Sequence, residues 1–113
     1  MGRLEGKVAL VTGGARGQGA AESKLLAAEG ASVLIGDVRV DRGKQTESEI
    51  KSQGGEAIFM SMDISKSSDW SRAIDLAESK FGKLDILVNN AAQFRRLAIE
   101  DTTEEDWDAV MAV

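Results

Sequence analysis

The chain has 113 residues, of which 42% are hydrophobic and 29% are charged, and its formal net charge is -5. This length suffices for one domain with a buried core, and the composition is that of a globular protein rather than a disordered one. The charges are spread along the chain with no basic block, which argues against a nucleic-acid or anionic-membrane partner.

The sequence contains no cysteine and no histidine. These absences exclude a disulfide framework and a serine–histidine nucleophile within the chain. They leave only carboxylates for a transition metal, so no metal site is predicted. No apolar leader or stretch of membrane-spanning length is present, and we therefore expect a cytoplasmic protein.

Short apolar runs alternate with helical stretches along the chain. Strands are predicted at 8–11, 32–37, 57–60 and 86–88, and helices at 18–29, 41–53 and 67–80, with a further helix that begins near Thr102. Near-continuous apolar strands separated by helices are typical of a parallel sheet covered on both faces. The sequence therefore predicts a doubly wound α/β fold.

Helical spacing also predicts which residues face the core. In the first helix the inward residues are Ala21, Leu25 and Ala28, and Gly30 ends the helix. The apolar face of the third helix consists of Trp70, Ala73, Ile74, Ala77 and Phe81, and that of the last helix of Trp107, Val110 and Met111.

A glycine-rich segment, Thr12-Gly13-Gly14-Ala15-Arg16-Gly17-Gln18-Gly19, follows the first strand and opens the first helix. Glycines permit positive φ and a close approach of the backbone, and a helix N-terminus offers unpaired N–H groups and a favourable dipole to phosphates. Asp37 ends the second strand about 20 residues further on, where a carboxylate can accept hydrogen bonds from ribose hydroxyls. The combination predicts a dinucleotide site that includes Gly13, Gly17, Gln18, Gly19 and Asp37.

The glycine spacing, with Thr12 in front, resembles that of the short-chain dehydrogenase/reductase family, whose first turn is Thr-Gly-x-x-x-Gly-x-Gly. Two further motifs resemble the family in the right order: Asp63-Ile64 after the third strand, and Asn89-Asn90-Ala91-Ala92 after the fourth. The resemblance implies a Rossmann-like doubly wound parallel sheet, truncated after the fourth strand and the start of the next helix. It also implies hydride transfer between a nicotinamide cofactor and a carbinol or carbonyl carbon.

The resemblance assigns roles to individual residues. The amides of Gln18 and Gly19 would meet the pyrophosphate, and Asp63 and Ile64 would meet the adenine. Val38, directly after Asp37, joins the cofactor-binding set. Asp63 also has a simpler interpretation as a residue that caps a strand end.

The residues after the fourth strand are assigned in the same way. Asn90 would tie this strand to the first, and Ala91 and Ala92 would leave room for ribose, although Asn89 and Asn90 are also common turn residues. Two positions depart from the family pattern, since Gln18 replaces an aliphatic residue and Ala92 replaces a glycine.

The choice of cofactor depends on two opposed features. Arg16 and Arg39 carry the positive charge that suits the 2′-phosphate of NADP. The Asp37 carboxylate would repel that phosphate at short range. We therefore predict NAD, with NADP as the less favoured cofactor.

The chain contains no tyrosine, whereas the family uses a tyrosine with a nearby lysine as its acid–base group. No catalytic residue is therefore assigned here, and we expect the isolated chain to be inactive. The apolar stripe of the last helix still runs at Val113, so we expect residues 1–113 to be the first, cofactor-binding part of one longer domain. The parent is then a dehydrogenase with a small-molecule substrate and, by analogy with the family, a homo-oligomer.

Two other functions remain open. The first is a stand-alone, non-catalytic nucleotide-binding module. The second is a methyltransferase-type fold that binds S-adenosylmethionine, although Thr12 and the Asn89-Asn90-Ala91 segment argue against it.

Overall fold

The structure is a computed structural model that describes residues 3–13, 15 and 17–90. Strands and helices alternate in chain order: β1 (Val8–Thr12), α1 (Gly17–Ala28), β2 (Ser32–Asp37), α2 (Val40–Ser52), β3 (Glu56–Ser61), α3 (Ser67–Phe81) and β4 (Ile86–Asn89). Each differs from its predicted range by at most one residue at either end, so these predictions are confirmed. The helix predicted from Thr102 lies outside the described residues.

The four strands form one parallel sheet in the order β3-β2-β1-β4. β1 lies between β2 and β4, and its register pairs Leu10 with Leu34 on one side and with Leu87 on the other. Strands β2 and β3 therefore lie on one side of β1, and β4 lies on its other side. This arrangement confirms the predicted Rossmann-like parallel sheet.

Helices cover both faces of the sheet. Residues of α3 pack with Leu10 and Leu34 on one face, whereas residues of α1 and α2 pack with Val11 and Ile35 on the other. Successive strand residues point to opposite faces, and all five residues of β1 are buried. Burial on both sides is the physical reason that β1 has no alternation of apolar and polar residues.

The predicted inner face of α1 is wrong. The residues that are buried in this helix are Gly19, Ser23 and Ala27, while Leu25 is 62% exposed. Ala21 and Ala28 are exposed as well. Small residues spaced four apart let the helix backbone lie close to the sheet, and they give no signal in a pattern based on large apolar side chains.

The predicted inner face of α3 is confirmed. Trp70, Ala73, Ile74 and Ala77 are buried, and Phe81 packs against the same cluster. Gly82 ends the helix with a φ of 88°, and its N–H donates to the Glu78 carbonyl oxygen.

Candidate cofactor site

The glycine turn lies at the point where the strand order of the sheet reverses. The turn follows the carboxyl end of β1, and β1 pairs with β2 on one side and with β4 on the other. In open α/β sheets the crevice beyond this point, at the carboxyl ends of the strands, is where ligands bind. Asp37 and Asn89 are the last residues of the two flanking strands. The fold therefore brings the predicted cofactor-binding segments together at the carboxyl ends of the strands.

The backbone of the turn suits an anion. Gly13 and Gly17 have φ values of 68° and 59°, which L side chains rarely adopt. Gly17 and Gln18 are exposed at the start of α1, whereas Gly19 is buried and its carbonyl oxygen accepts a hydrogen bond from Ser23 Oγ at 2.9 Å. The first turn of α1 contains no acidic residue, so the positive end of its dipole is not offset there by a carboxylate. α2 and α3 differ in this respect, because each has an aspartate in its first turn.

Asp37 is a buried carboxylate, with 5% of its surface exposed. Its Oδ2 accepts a hydrogen bond from the Ala15 amide at 3.2 Å, and its Oδ1 accepts one from the Arg39 amide at 2.9 Å. The Arg39 guanidinium lies 3.5 Å from the same Oδ1. These bonds fix the plane of the carboxylate while each oxygen keeps further lone-pair capacity. Val38, directly after it, is 61% exposed at the same edge.

Thr46 contacts the turn from α2, and sequence reasoning missed it. Its side chain is buried, and its Oγ1 donates to the Ala15 carbonyl oxygen at 2.9 Å. Thr46 lies three residues after Gly43 and four before Ile50, the other buried residues of α2. That spacing is the one signal in the sequence that could have indicated its inward orientation.

The Asp63 carboxylate is engaged locally. Its Oδ1 accepts hydrogen bonds from the Ser65 hydroxyl at 2.6 Å and from the Ser65 amide at 2.9 Å, and these bonds hold the pKa of Asp63 below its usual value. Asp63 N donates to Asp69 Oδ2, and the half-buried Ile64 accepts the Trp70 indole N–H at its carbonyl oxygen. Asp63 therefore has the turn-capping role that the sequence left open, and its contact with adenine stays a prediction.

The end of β4 is tied to β1 by hydrogen bonds at Thr12, which include one of 3.4 Å from its Oγ1 to the Val88 carbonyl oxygen. Thr12 Oγ1 donates to Asn89 Oδ1 at 2.7 Å, and the Asn90 amide donates to the Thr12 carbonyl oxygen at 3.1 Å. The Asn90 side chain is used elsewhere, because its Nδ2 donates to Glu22 Oε1 at 2.6 Å. The other oxygen of Glu22 accepts from Gln18 Nε2 at 3.3 Å, so Glu22 links the start of α1 to the end of β4.

Several predicted site residues cannot be placed. Arg16, Ala91 and Ala92 lie outside the described residues, so their predicted roles stay predictions. Within the part of the chain that the structure describes, no cluster of three metal-ligating side chains occurs. No helix in that part is long and apolar enough to span a bilayer. The predicted cytoplasmic location and oligomeric parent stay predictions.

Comparison with known proteins identifies the class. The family model described as short chain dehydrogenase matches residues 7–113. The chain therefore belongs to the short-chain dehydrogenase family, as its glycine turn suggested. Proteins of this family bind a nicotinamide dinucleotide, and membership does not favour the S-adenosylmethionine alternative.

Curated relatives with similar sequences are dehydrogenases. A cyclopentanol dehydrogenase of Comamonas testosteroni is 41% identical over 113 residues, which is 100% of this chain and 45% of that protein. A 3-alpha-(or 20-beta)-hydroxysteroid dehydrogenase of Mycobacterium tuberculosis is 40% identical over 112 residues, 99% of this chain and 42% of the relative. The chain thus spans less than half the length of these relatives.

Solved structures show the same architecture. A short-chain dehydrogenase/reductase from Serratia marcescens has 43% identity and a TM-score of 0.74, and the match covers 77% of this chain and 36% of that one. A hydroxysteroid dehydrogenase from Escherichia coli has 39% identity and a TM-score of 0.73, with 75% and 36% covered.

Proposed function

We propose that this chain is the cofactor-binding part of an NAD-dependent oxidoreductase that transfers hydride between nicotinamide and a carbinol or carbonyl carbon. In this proposal the chain binds and orients the dinucleotide, and the acid–base groups belong to the rest of the parent protein. The tyrosine-free composition of the chain is consistent with that division.

The observation that carries the proposal is the position of the glycine turn at the reversal of strand order. The turn follows β1, between the ends of β2 and β4, and a ligand in the adjoining crevice would contact all three segments. The residues present there fit a dinucleotide. The exposed first turn of α1 offers amides without a competing carboxylate, which suits a pyrophosphate, and Asp37 offers acceptor oxygens to ribose hydroxyls.

NAD is the proposed cofactor because Asp37 is held in place. The Ala15 and Arg39 amides fix its carboxylate, so the negative charge cannot turn away from a 2′-phosphate. The Arg39 guanidinium offsets part of that charge, but it is 47% exposed at its side chain and is therefore screened by water. The remaining repulsion favours NAD over NADP.

Within the proposed site, Gln18 and Gly19 would meet the pyrophosphate through their amides, between the positive-φ positions Gly13 and Gly17. Val38, Asp63 and Ile64 would line the adenosine end. Asn90, with Ala91 and Ala92 after it, would lie beside the nicotinamide ribose.

The test is a hydride-transfer assay on the complete protein that contains this chain. Purified protein is mixed with NAD and with a panel of ring alcohols, starting from cyclopentanol and a hydroxysteroid because relatives carry those names. The proposal predicts reduced nicotinamide, followed by its absorbance, with at least one alcohol. If the folded protein binds NAD but reduces none of it with any alcohol, the stand-alone binding module becomes the better account.

A further inference from the structure

Ala15 is held on both sides of its α-carbon by buried side chains. Its N–H donates to Asp37 Oδ2 at 3.2 Å, and its carbonyl oxygen accepts from Thr46 Oγ1 at 2.9 Å. Ala15, Asp37 and Thr46 are 3%, 5% and 3% exposed, so water does not compete for these groups. Ala15, in the glycine turn, is therefore hydrogen-bonded both to the end of β2 and to α2.

The two bonds fix two successive peptide planes. The Ala15 N–H belongs to the plane before this residue, and its carbonyl belongs to the plane after it. Glycines allow many backbone conformations, so a glycine-rich turn has no preferred shape of its own. A further bond from the Gly13 amide to the Gly36 carbonyl oxygen at 2.8 Å holds the other end of the turn against β2. External bonds thus hold the turn at Gly13 and Ala15, directly before the start of α1.

We propose that Thr46 is a positioning residue for the dinucleotide and that it acts through Ala15. The proposal rests on the proposed function. Thr46 keeps the Ala15 carbonyl in place, which keeps the Ala15 N–H on Asp37 Oδ2 and the Asp37 carboxylate in its present plane. Thr46 therefore controls both the turn that receives the pyrophosphate and the carboxylate that receives the ribose, although it touches neither ligand group.

The chemistry of the side chain supports this role over simple packing. A buried backbone carbonyl that loses its donor must find another partner or move, because leaving it unpaired is costly. Valine has nearly the shape of threonine and lacks the donor, so Thr46→Val keeps the side-chain volume and removes the bond. Thr46→Ser keeps the donor and removes a methyl group. The two variants separate hydrogen bonding from packing at one position.

Ile50 provides a matched control. It is buried on the same face of α2, one turn beyond Thr46, and it belongs to the buried cluster that includes Val11 and Ala27. Ile50→Val lowers the stability of the same helix through lost packing and leaves the bonds of Ala15 in place. A merely structural role for Thr46 would make the Thr46 and Ile50 variants alike in cofactor binding.

The experiment measures the Kd of NAD by calorimetry and the KM and kcat by steady-state kinetics, on the complete protein and at a temperature where every variant is folded. For Thr46→Val we expect Kd and KM for NAD to rise about fivefold to tenfold, the factor that corresponds to one lost hydrogen bond. With NAD saturating, kcat stays within about twofold, because the hydride-transfer groups are untouched. Thr46→Ser and Ile50→Val should both bind NAD like the wild type.

Three results would overturn the proposal. They are an unchanged NAD affinity in Thr46→Val, an equal loss of NAD affinity in Ile50→Val, or a loss of NAD affinity in Thr46→Ser as large as that in Thr46→Val. If Thr46→Val does not fold, Thr46→Ala replaces it, since alanine removes the donor without placing a methyl group against the carbonyl oxygen. Wild-type protein that binds neither NAD nor NADP would contradict the proposed function, and this inference with it. Wild-type binding with an indifferent Thr46→Val would contradict this inference alone.

Discussion

Glu22 and Asn90 are joined by a hydrogen bond of 2.6 Å between Oε1 of the first and Nδ2 of the second, across 68 residues of sequence. Glu22 lies in α1 and Asn90 directly follows β4. The bond therefore joins the helix to the strand end beside the proposed cofactor site. The second carboxylate oxygen of Glu22 accepts from Gln18, one of the two residues that depart from the family pattern. A polar side chain at position 18 is thus explained by its partner one turn further along the helix.

The first prediction concerns this link. Glu22→Ala removes both hydrogen bonds, and we expect the free energy of unfolding to fall by about 1 kcal/mol because the pair is only partly buried. Glu22→Gln keeps an acceptor for Asn90 and should cost less. Chemical denaturation measures both values. Glu78→Ala, at an exposed glutamate of α3, serves as the control and should change stability by less than about 0.5 kcal/mol.

A double-mutant cycle decides whether the link itself is responsible. Glu22→Ala combined with Asn90→Ala should lose less than the sum of the two single variants, with a coupling of about 0.5 kcal/mol or more. Additive losses would show that Glu22 and Asn90 stabilise the fold through other contacts.

The second prediction concerns packing between α2 and β3. A Cβ added at Gly43 would overlap the ring of Phe59, which occupies the space beside the helix backbone. Alanine gains about 0.8–1 kcal/mol of helix propensity over glycine, but overpacking costs about 1–3 kcal/mol. We expect Gly43→Ala to be destabilising on balance in thermal unfolding.

Its control uses the same helix and the same ring. Lys44→Ala, at the exposed neighbouring position, should have little effect. Replacing Phe59 by leucine should make Gly43→Ala less costly, because the overlapping ring is gone. A Gly43→Ala variant that is more stable than wild type would contradict the close approach of helix and ring.

The third prediction concerns acid stability. The Val8 amide donates to Asp85 Oδ2 at 2.9 Å, and this bond, with Lys83 3.4 Å away, holds the pKa of Asp85 below its usual value. The Ser65 bonds lower the pKa of Asp63, and Lys24 lowers that of Glu49. The folded state thus binds fewer protons than the unfolded state in acid, so stability is present above the ordinary carboxyl pKa and is lost as pH falls below about 4.

Thermal unfolding followed against pH measures this loss. Asp85→Asn should flatten the acid limb of the profile, because one of the carboxylates responsible has been removed. Asp75→Asn, which removes one exposed charge from α3, should leave the limb as steep as in wild type. Equal slopes for Asp85→Asn and wild type would contradict the role given to the Val8–Asp85 bond.

The sequence predicted the sheet better than the helix surfaces. Each strand is an apolar run bounded by polar or glycine residues, and burial on both faces requires that pattern. The face of α3 was predictable because Trp70 and Ile74 are large and apolar. The face of α1 was not, since Gly19, Ser23 and Ala27 face the sheet because they are small, and small residues are common on either face of a helix.

The site was predictable where backbone chemistry dictates the residue type. The glycine turn and Asp37 have the spacing that the proposed dinucleotide site would require. Thr46 and Glu22 could not be found in this way, because Thr46 is one polar residue in a polar helix and Glu22 is one of several polar residues on α1. Their importance arises only when α2 packs beside the turn and β4 ends beside α1, which are contacts between distant segments.

The fourth prediction concerns cofactor choice. Asp37→Asn removes the negative charge that opposes a 2′-phosphate and leaves Arg39 beside the site. We expect the ratio of NADP affinity to NAD affinity to rise by about tenfold, as a close charge–charge term of about 1.4 kcal/mol would give. The double variant Asp37→Asn with Arg39→Ala should lose part of the gain for NADP. Competition titrations with the two cofactors measure the ratio, and an unchanged ratio would remove Asp37 as its determinant.

The central claim is that the turn between β1 and α1 binds a nicotinamide dinucleotide, and titration calorimetry of NAD into the complete protein tests it most directly. Gly17→Ala and Gly54→Ala are the paired variants, because both glycines have positive φ and open space around an added Cβ. Gly54 follows α2 at the opposite edge of the sheet, so the two variants carry similar backbone strain in different places. The account predicts one NAD per chain for the wild type and for Gly54→Ala, and much weaker binding for Gly17→Ala. Equal NAD affinity in all three proteins, or none in folded wild type, would contradict it.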